Sequence, residues 1–186
     1  MRVFLRVLVV VLMSFASRVA DASVSLAITF DALVRDSTSC GVMTPVEQHA
    51  VWENGRIITY TRVHVDEPLA GDLGVGAEAW VATLGGIVGD VGQTVDGEPP
   101  LHVGVPALLF LRPDRSPGIH IVTARAQGYF SVRVDADRVR RFRASNSVGM
   151  LLPPNKGLLA ANVIVDRSSE DVKRDVLAAW GRLHAH

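Results

Sequence analysis

Apolar and polar side chains alternate with a period of two from about residue 40 to about residue 134, and this predicts a mainly β protein. The clearest element is a hairpin closed by Asn54-Gly55, a pair in which both residues tolerate positive φ. Pairing Glu53 with Arg56 sets Trp52 opposite Ile57, Ala50 opposite Thr59, Gln48 opposite Thr61 and Val46 opposite Val63. That face is mostly apolar or β-branched. The other face carries Glu47 opposite Arg62 and His49 opposite Tyr60, with His64 further along, opposite Pro45. A slip of one residue would invert every side chain, so pattern and turn chemistry fix the same register. Pro45 predicts a bulge or an edge near the start of the first strand.

Three further strands are expected: Glu78 to Leu84, Ala107 to Leu111, and Ile119 to Ala126 running on towards Val134 with a break near Gly128. Ala107-Leu108-Leu109-Phe110-Leu111 is apolar on both faces and reads as a central strand covered on both sides. Arg112 to Gly118 reads as a polar turn. At the ends the period becomes helical. Leu26, Phe30, Leu33 and Val34 predict a helix from Ser25 to Asp36, with Ser25 as N-cap. Ser168 caps a terminal helix striped by Val172, Val176, Leu177, Trp180 and Leu183. Residues 136 to 162 lack a sustained period and are expected to form an extended, partly packed crossing. The whole predicts a small OB-like barrel of five or six strands with flanking N- and C-terminal helices. Phe110, Trp80 and Trp180 are its expected core aromatics.

The N-terminus changes the setting. Arg2 and Arg6, the apolar run Leu8 to Ala16 and the small-x-small site Ala20-Asp21-Ala22 read as an export signal over residues 1–22, cleaved before Ser23. The run is too short to span a bilayer. Residues 23–186 then form one domain, exported to the periplasm or beyond, with no membrane span after cleavage. The full chain has 19 basic and 19 acidic residues; without Arg2, Arg6, Arg18 and Asp21 it has 16 and 18. Such a balance argues against nucleic-acid binding, which needs a concentrated basic face. The cluster from Arg138 to Arg143 follows Asp135 and Asp137 and reads as a solvated, partly self-neutralised stretch. Cys40 is the single cysteine, so the domain has no internal disulfide, and it reads as a small buried hydrophobe.

Motifs for chemistry are missing. Gly85-Gly86-Ile87-Val88-Gly89 lacks the spacing and the lysine of a phosphate loop and reads as turn and bulge glycines. His49 and His64 would lie roughly 13 Å apart, at about 3.3 Å per residue, too far for one zinc ion. His184 and His186 sit at a terminus expected to fray. No HExxH, GxSxG, SxxK or paired-cysteine motif occurs, and neither a metal nor a cofactor is expected.

An ordered series of blocks does stand out. It runs Trp52-Glu53-Asn54-Gly55-Arg56-Ile57-Ile58-Thr59, then Gly85-Gly86, then Gly92-Gln93-Thr94-Val95-Asp96-Gly97-Glu98-Pro99, then Leu109-Phe110-Leu111, then Gln127-Gly128-Tyr129-Phe130. The series resembles a group of uncharacterised bacterial exported proteins with a W-x-x-G-R-I-x-T, G-G, G-Q-x-V-x-G-x-P, L-F-L, Q-G-x-F pattern. It covers about residues 46 to 132 and brings no activity with it. More loosely, the layout is similar to netrin-type modules, the OB-like barrels of tissue inhibitors of metalloproteases. Ser23 stands at the expected mature start, where those inhibitors carry a zinc-engaging cysteine, so this similarity implies architecture alone.

The function expected is that of a non-catalytic exported binding module, its partner another exported protein. The outer hairpin face supplies the candidate site: Glu47, His49, Tyr60, Arg62 and His64. Tyrosine and arginine favour contact because they offer large area and directional donors. Two alternatives stand beside it: a periplasmic hydrolase or transferase with a site assembled from scattered residues, and a subunit of an envelope or secretion assembly.

Overall fold

The computed structural model describes residues 24–185; the expected export signal and Ser23 lie outside them. The chain is mainly β. Its strands are β1 (Val24–Leu26), β2 (Ser39–Glu53), β3 (Arg56–Gly71), β4 (Glu78–Leu84), β5 (Gly86–Val88), β6 (Val91–Gln93), β7 (Ala107–Pro113), β8 (Ile119–Val122), β9 (Tyr129–Val134), β10 (Arg140–Ala144) and β11 (Met150–Leu152). Its helices are α1 (Phe30–Arg35), α2 (Ala160–Ile164) and α3 (Ser169–Leu183). No helix among the described residues is long and apolar enough to cross a membrane.

The long hairpin β2–β3 organises the sheet. Asn54 and Gly55 both adopt positive φ, 50° and 78°, as the two-residue turn requires. The expected pairs Glu53↔Arg56, Trp52↔Ile57, Ala50↔Thr59, His49↔Tyr60, Gln48↔Thr61 and Glu47↔Arg62 all form. Beyond them the register shifts. Val46 is bulged out, so Pro45 pairs with Val63 and Thr44 with His64, one residue off the expected Val46–Val63 and Pro45–His64 pairs. Proline cannot donate to the ladder, and the bulge relieves that defect at the place Pro45 marks.

Five strands then close a ring: β7, β2, β3, β4 and β8, with β8 returning to β7. One edge of β7 changes partner midway. Residues 107–109 pair with β9 and residues 111–113 with β8, and β10 extends the sheet beyond β9. Inside the ring lie Met43, Val63, Val65, Ala79, Val81, Leu109, Leu111, Val122 and Tyr129. Outside it, Cys40, Val42, Leu108, Phe110, Phe130 and Phe142 pack under α1, α2 and α3. The strand β7 feeds both cores with alternate residues, as its apolar run predicts. Leu108 and Phe110 face the helices, while Leu109 and Leu111 face the ring interior, all fully buried. Each such side chain contributes about 1.5–3 kcal/mol of burial. Cys40 is buried, and burial pushes its thiol pKa well up.

Several expectations change. The first helix begins at Phe30 rather than Ser25, because Thr29 caps it through the Ala32 N–H while Ser25 belongs to β1. Residues 136–162 contain β10, β11 and α2 rather than a plain crossing; β11 pairs in parallel with β1. Strands of three residues are too short to show a period. The terminal helix is as expected, with Ser168 accepting from the Asp171 N–H. Trp180 lies partly buried at its margin, stacked on His184 with ring centroids 4.1 Å apart, so that histidine is held rather than frayed. Trp80 is not in the core. It projects from the outer side of the ring.

Candidate functional site

The ring has two outer halves. Over β7, the start of β2 and the end of β3 the outer side is covered by the helices; over the first part of β3 and over β4 it is uncovered. Alternation places Glu47 and His49 of β2, Tyr60 and Arg62 of β3, and Glu78 and Trp80 of β4 on this uncovered side. Four of the five expected site residues meet there. His49 stacks on Tyr60 at 5.6 Å and meets Trp80 edge-on at 5.2 Å. Arg62 bonds Glu47 through Nε at 3.0 Å and Glu78 through Nη1 at 2.6 Å. These two carboxylates raise the guanidinium pKa further. The Tyr60 hydroxyl donates to Glu53 at 2.9 Å. Burial, that bond, and the charges of Glu53 and Asp114 raise the phenol pKa. His64 lies on the same side, between Thr44 and Glu78 in the ladder, but makes no hydrogen bond or ring contact with the other four.

The strip leads into a cleft of about 430 Å³ that the sequence alone does not reveal. The parallel strands β4 and β8 pair only through Trp80↔Ile119 and Val81↔His120. Beyond that point β4 continues to Leu84 and β8 to Val122 without pairing to each other, so the ring opens at this seam. Ile58, Ala82, Leu84 and Ile121 line the gap with apolar surface. Charged groups come from four directions: Arg56 from the hairpin turn, Arg112 and Asp114 from the end of β7, Glu98 from the glycine-rich loop, and Arg125 from the segment after β8.

Local backbone explains how Glu98 and Arg125 meet. After Val122 the chain leaves the edge of β7 through a 3₁₀ turn, Arg125–Gly128, before re-entering it as β9. Ala124 and Arg125 both sit at positive φ, 53° and 56°, which costs of order 1–3 kcal/mol each in side-chain-bearing residues. The Ala126 N–H ties this turn to the Gly97 carbonyl at 2.9 Å, which brings the neighbouring Glu98 alongside. Glu98 is only 13% exposed; its Oε1 pairs with Arg125 Nε at 2.9 Å and its Oε2 accepts the Leu84 N–H at 3.2 Å. That carboxylate therefore takes a strand-edge donor that β8 has left behind. Burial raises the Glu98 pKa, with the Leu84 bond and the Arg125 charge opposing.

The blocks of the resembling pattern divide between scaffold and cleft: Arg56, Ile58, Glu98 and Pro99 line the cleft, and other members hold the frame. Gln93 accepts the Ile57 N–H at 2.6 Å, and Gln127 bridges the Ile28 N–H and the Leu26 carbonyl of the β1 segment. A Cβ on Gly86 would lie 2.3 Å from Thr59 Oγ1, so only glycine lets β5 pack on the hairpin. The basic stretch at 138–143 is partly neutralised: Arg141 pairs with Asp135 and Asp137, and Arg140 with Glu67 of β3. Among the described residues no group of three or more His, Cys, Asp or Glu is arranged to hold a metal.

No protein-family profile, no curated protein and no solved structure matches this chain. The site must therefore be read from its own geometry.

Proposed function

We propose that this is a non-catalytic, exported binding module, built on an OB-like barrel, that receives its ligand along the uncovered outer side of the ring. One observation carries this reading: the aromatic strip His49, Tyr60 and Trp80 runs into the seam cleft without a covering element. Large aromatic groups beside directional charged donors favour contact with a partner. OB-like barrels also receive ligands on a barrel face and its adjacent loops. The export signal at residues 1–22 puts that partner in the periplasm or outside the cell. Capture of partners from an envelope fraction by mature protein is expected to succeed and to fail with the double variant Tyr60→Ala, Arg62→Ala. Capture that survives both substitutions discards the face as the site. The mature protein is expected to begin at Ser23, and a mass spectrum showing Met1 to Ala22 retained would remove the compartment.

A hydrolase reading has one observation in its favour, the raised Glu98 carboxyl sharing a cleft with Asp114. Both Glu98 oxygens are already engaged by Arg125 and Leu84, which suits a wall better than an acid. Turnover of chromogenic ester, phosphoester or glycoside substrates that Glu98→Gln abolishes would reverse this ranking.

A further inference from the structure

We propose that the seam cleft is a site for a small ligand carrying one anionic oxygen group, a carboxylate or a phosphate, next to an apolar moiety. The proposal rests on the binding reading above and gives that groove a ligand chemistry. Three arginines and two carboxylates line the cleft, an excess of one positive charge. Arg125 is already committed to Glu98. Arg56 and Arg112 have no carboxylate within 4.0 Å and no side-chain hydrogen bond among the described residues, unlike Arg62, Arg140 and Arg167 elsewhere on the surface. They also come from different walls. Arg56 opens β3 beside the turn, and Arg112 ends β7 across the seam. A group bound between those walls would meet two free planar forks, which suit the paired oxygens of a carboxylate or phosphate.

The remaining lining is consistent with that occupant. The Glu98 charge is offset by Arg125 and held to the Leu84 amide, so it does not repel an anion as a bare carboxylate would. The strained Ala124-Arg125 backbone fixes the direction of that offset. Asp114 lies two residues from Arg112 and limits the positive excess, which favours a single anionic group over a polyanion. Ile58, Ala82, Leu84 and Ile121 offer apolar surface to the body of the ligand. A volume of about 430 Å³ falls in the range of small-molecule sites, roughly 300–1,000 Å³.

The test is an amide-shift titration of mature protein with phenylacetate, phenyl phosphate and the neutral isostere phenylacetamide. At least one anion is expected to shift the amides of residues 82–84 and 121–125. Phenylacetamide should bind roughly tenfold or more weakly, the equivalent of losing one charge-assisted hydrogen bond. Shifts from phenylacetate alone identify a carboxylate site and shifts from phenyl phosphate alone a phosphate site. The double variant Arg56→Gln, Arg112→Gln should lower anion affinity to that of the amide while keeping the wild-type melting temperature. Equal affinity for acid and amide, full anion affinity in the double variant, or no shift at about 10 mM of either anion would overturn the proposal. Partner capture that still depends on Tyr60 and Arg62 would show that only this site had failed. Anion binding in the cleft with capture insensitive to those residues would discard the outer face and leave this site standing.

Discussion

The two outer halves are built from neighbouring strands of one sheet by the same alternation, yet they have opposite fates. On the covered half, Phe110, Phe130 and Phe142 share one core with α1, α2 and α3, with Phe110 and Phe130 edge-on at 6.3 Å. On the uncovered half, His49, Tyr60 and Trp80 make a similar aromatic grouping with no helix above it. The difference lies in the neighbours. Phenylalanines leave no polar atom to satisfy and so can be sealed under a helix. The uncovered aromatics alternate with Glu47, Glu53, Arg62 and Glu78, whose charges need water or a partner. One half is a core, and the other is a surface with a core's aromatic content.

The sharpest way to break this comparison is to truncate an aromatic in each half. Phe110→Ala should cost roughly 3–5 kcal/mol, as expected for a buried aromatic. Trp80→Ala should cost clearly less, since Trp80 is half-buried and rests on His49 alone among the rings. Equal losses in chemical denaturation would mean that the uncovered half is a second structural core and no site.

Next in size is the turn that supports the uncovered half. Gly55→Val should destabilise by about 1–3 kcal/mol, because a β-branched residue resists φ of 78°. Space is not the difficulty, as no atom lies within 4 Å of a Cβ built there. An unchanged melting temperature would show that backbone conformation at this turn contributes nothing.

The hairpin also shows how far sequence reasoning reaches. Its turn, its register from Glu53↔Arg56 to Glu47↔Arg62 and its outer face follow from Asn54-Gly55 and strict alternation. The double-sided role of Ala107 to Leu111 follows as well. Reasoning failed where a local pattern meets a distant partner. Trp80 looked like core because aromatic content says nothing about which face a helix will cover. Val46 slipped because a bulge adds a residue without changing composition. The cleft was invisible for a different reason: Arg56, Glu98, Arg112 and Arg125 are scattered over 70 positions and meet only where β4 and β8 stop pairing. Arg112 and Asp114 carried no signal beyond that of a polar turn. The glycine-rich loop that supplies Glu98 reads as turn and bulge glycines, and nothing in its pattern singles out Glu98.

A smaller effect separates two carboxylates, one in each half. Beside the helices, burial pushes Glu67 up, but the Arg140 bond and charge and then Lys173 outweigh it, so its folded pKa lies below the ordinary 4.5. The stability it adds is present above 4.5 and is lost as pH falls through the lowered folded value. Glu98, on the uncovered side, is raised by burial. Its folded form holds the proton more tightly, so its contribution is present below 4.5 and is lost as pH rises through the raised value. Melting curves against pH should therefore diverge in opposite senses. Glu67→Gln should differ from wild type at neutral pH and converge with it in acid. Glu98→Gln should lose the gain that wild type shows on moderate acidification. Parallel curves for the two variants would mean that the halves do not differ electrostatically.

The smallest expected change in stability is the most informative for function. Apart from the stack of Tyr60 on His49, Tyr60 and Arg62 engage Glu53, Glu47 and Glu78, and these bonds lie on the open outer surface of the sheet, where paired charges are readily replaced by water. Their inner neighbours Thr61 and Val63 are fully buried and carry the strand into the ring core. The double variant Tyr60→Ala, Arg62→Ala should thus keep the wild-type melting temperature, because alternation assigns packing to one set of residues and contact to the other. A large fall in melting temperature would show that the outer aromatics and ion pairs hold β3 to β4, and the uncovered half would then be structural like the covered one. An unchanged melting temperature with lost partner capture would separate the halves by role: one keeps the fold, and the other presents it.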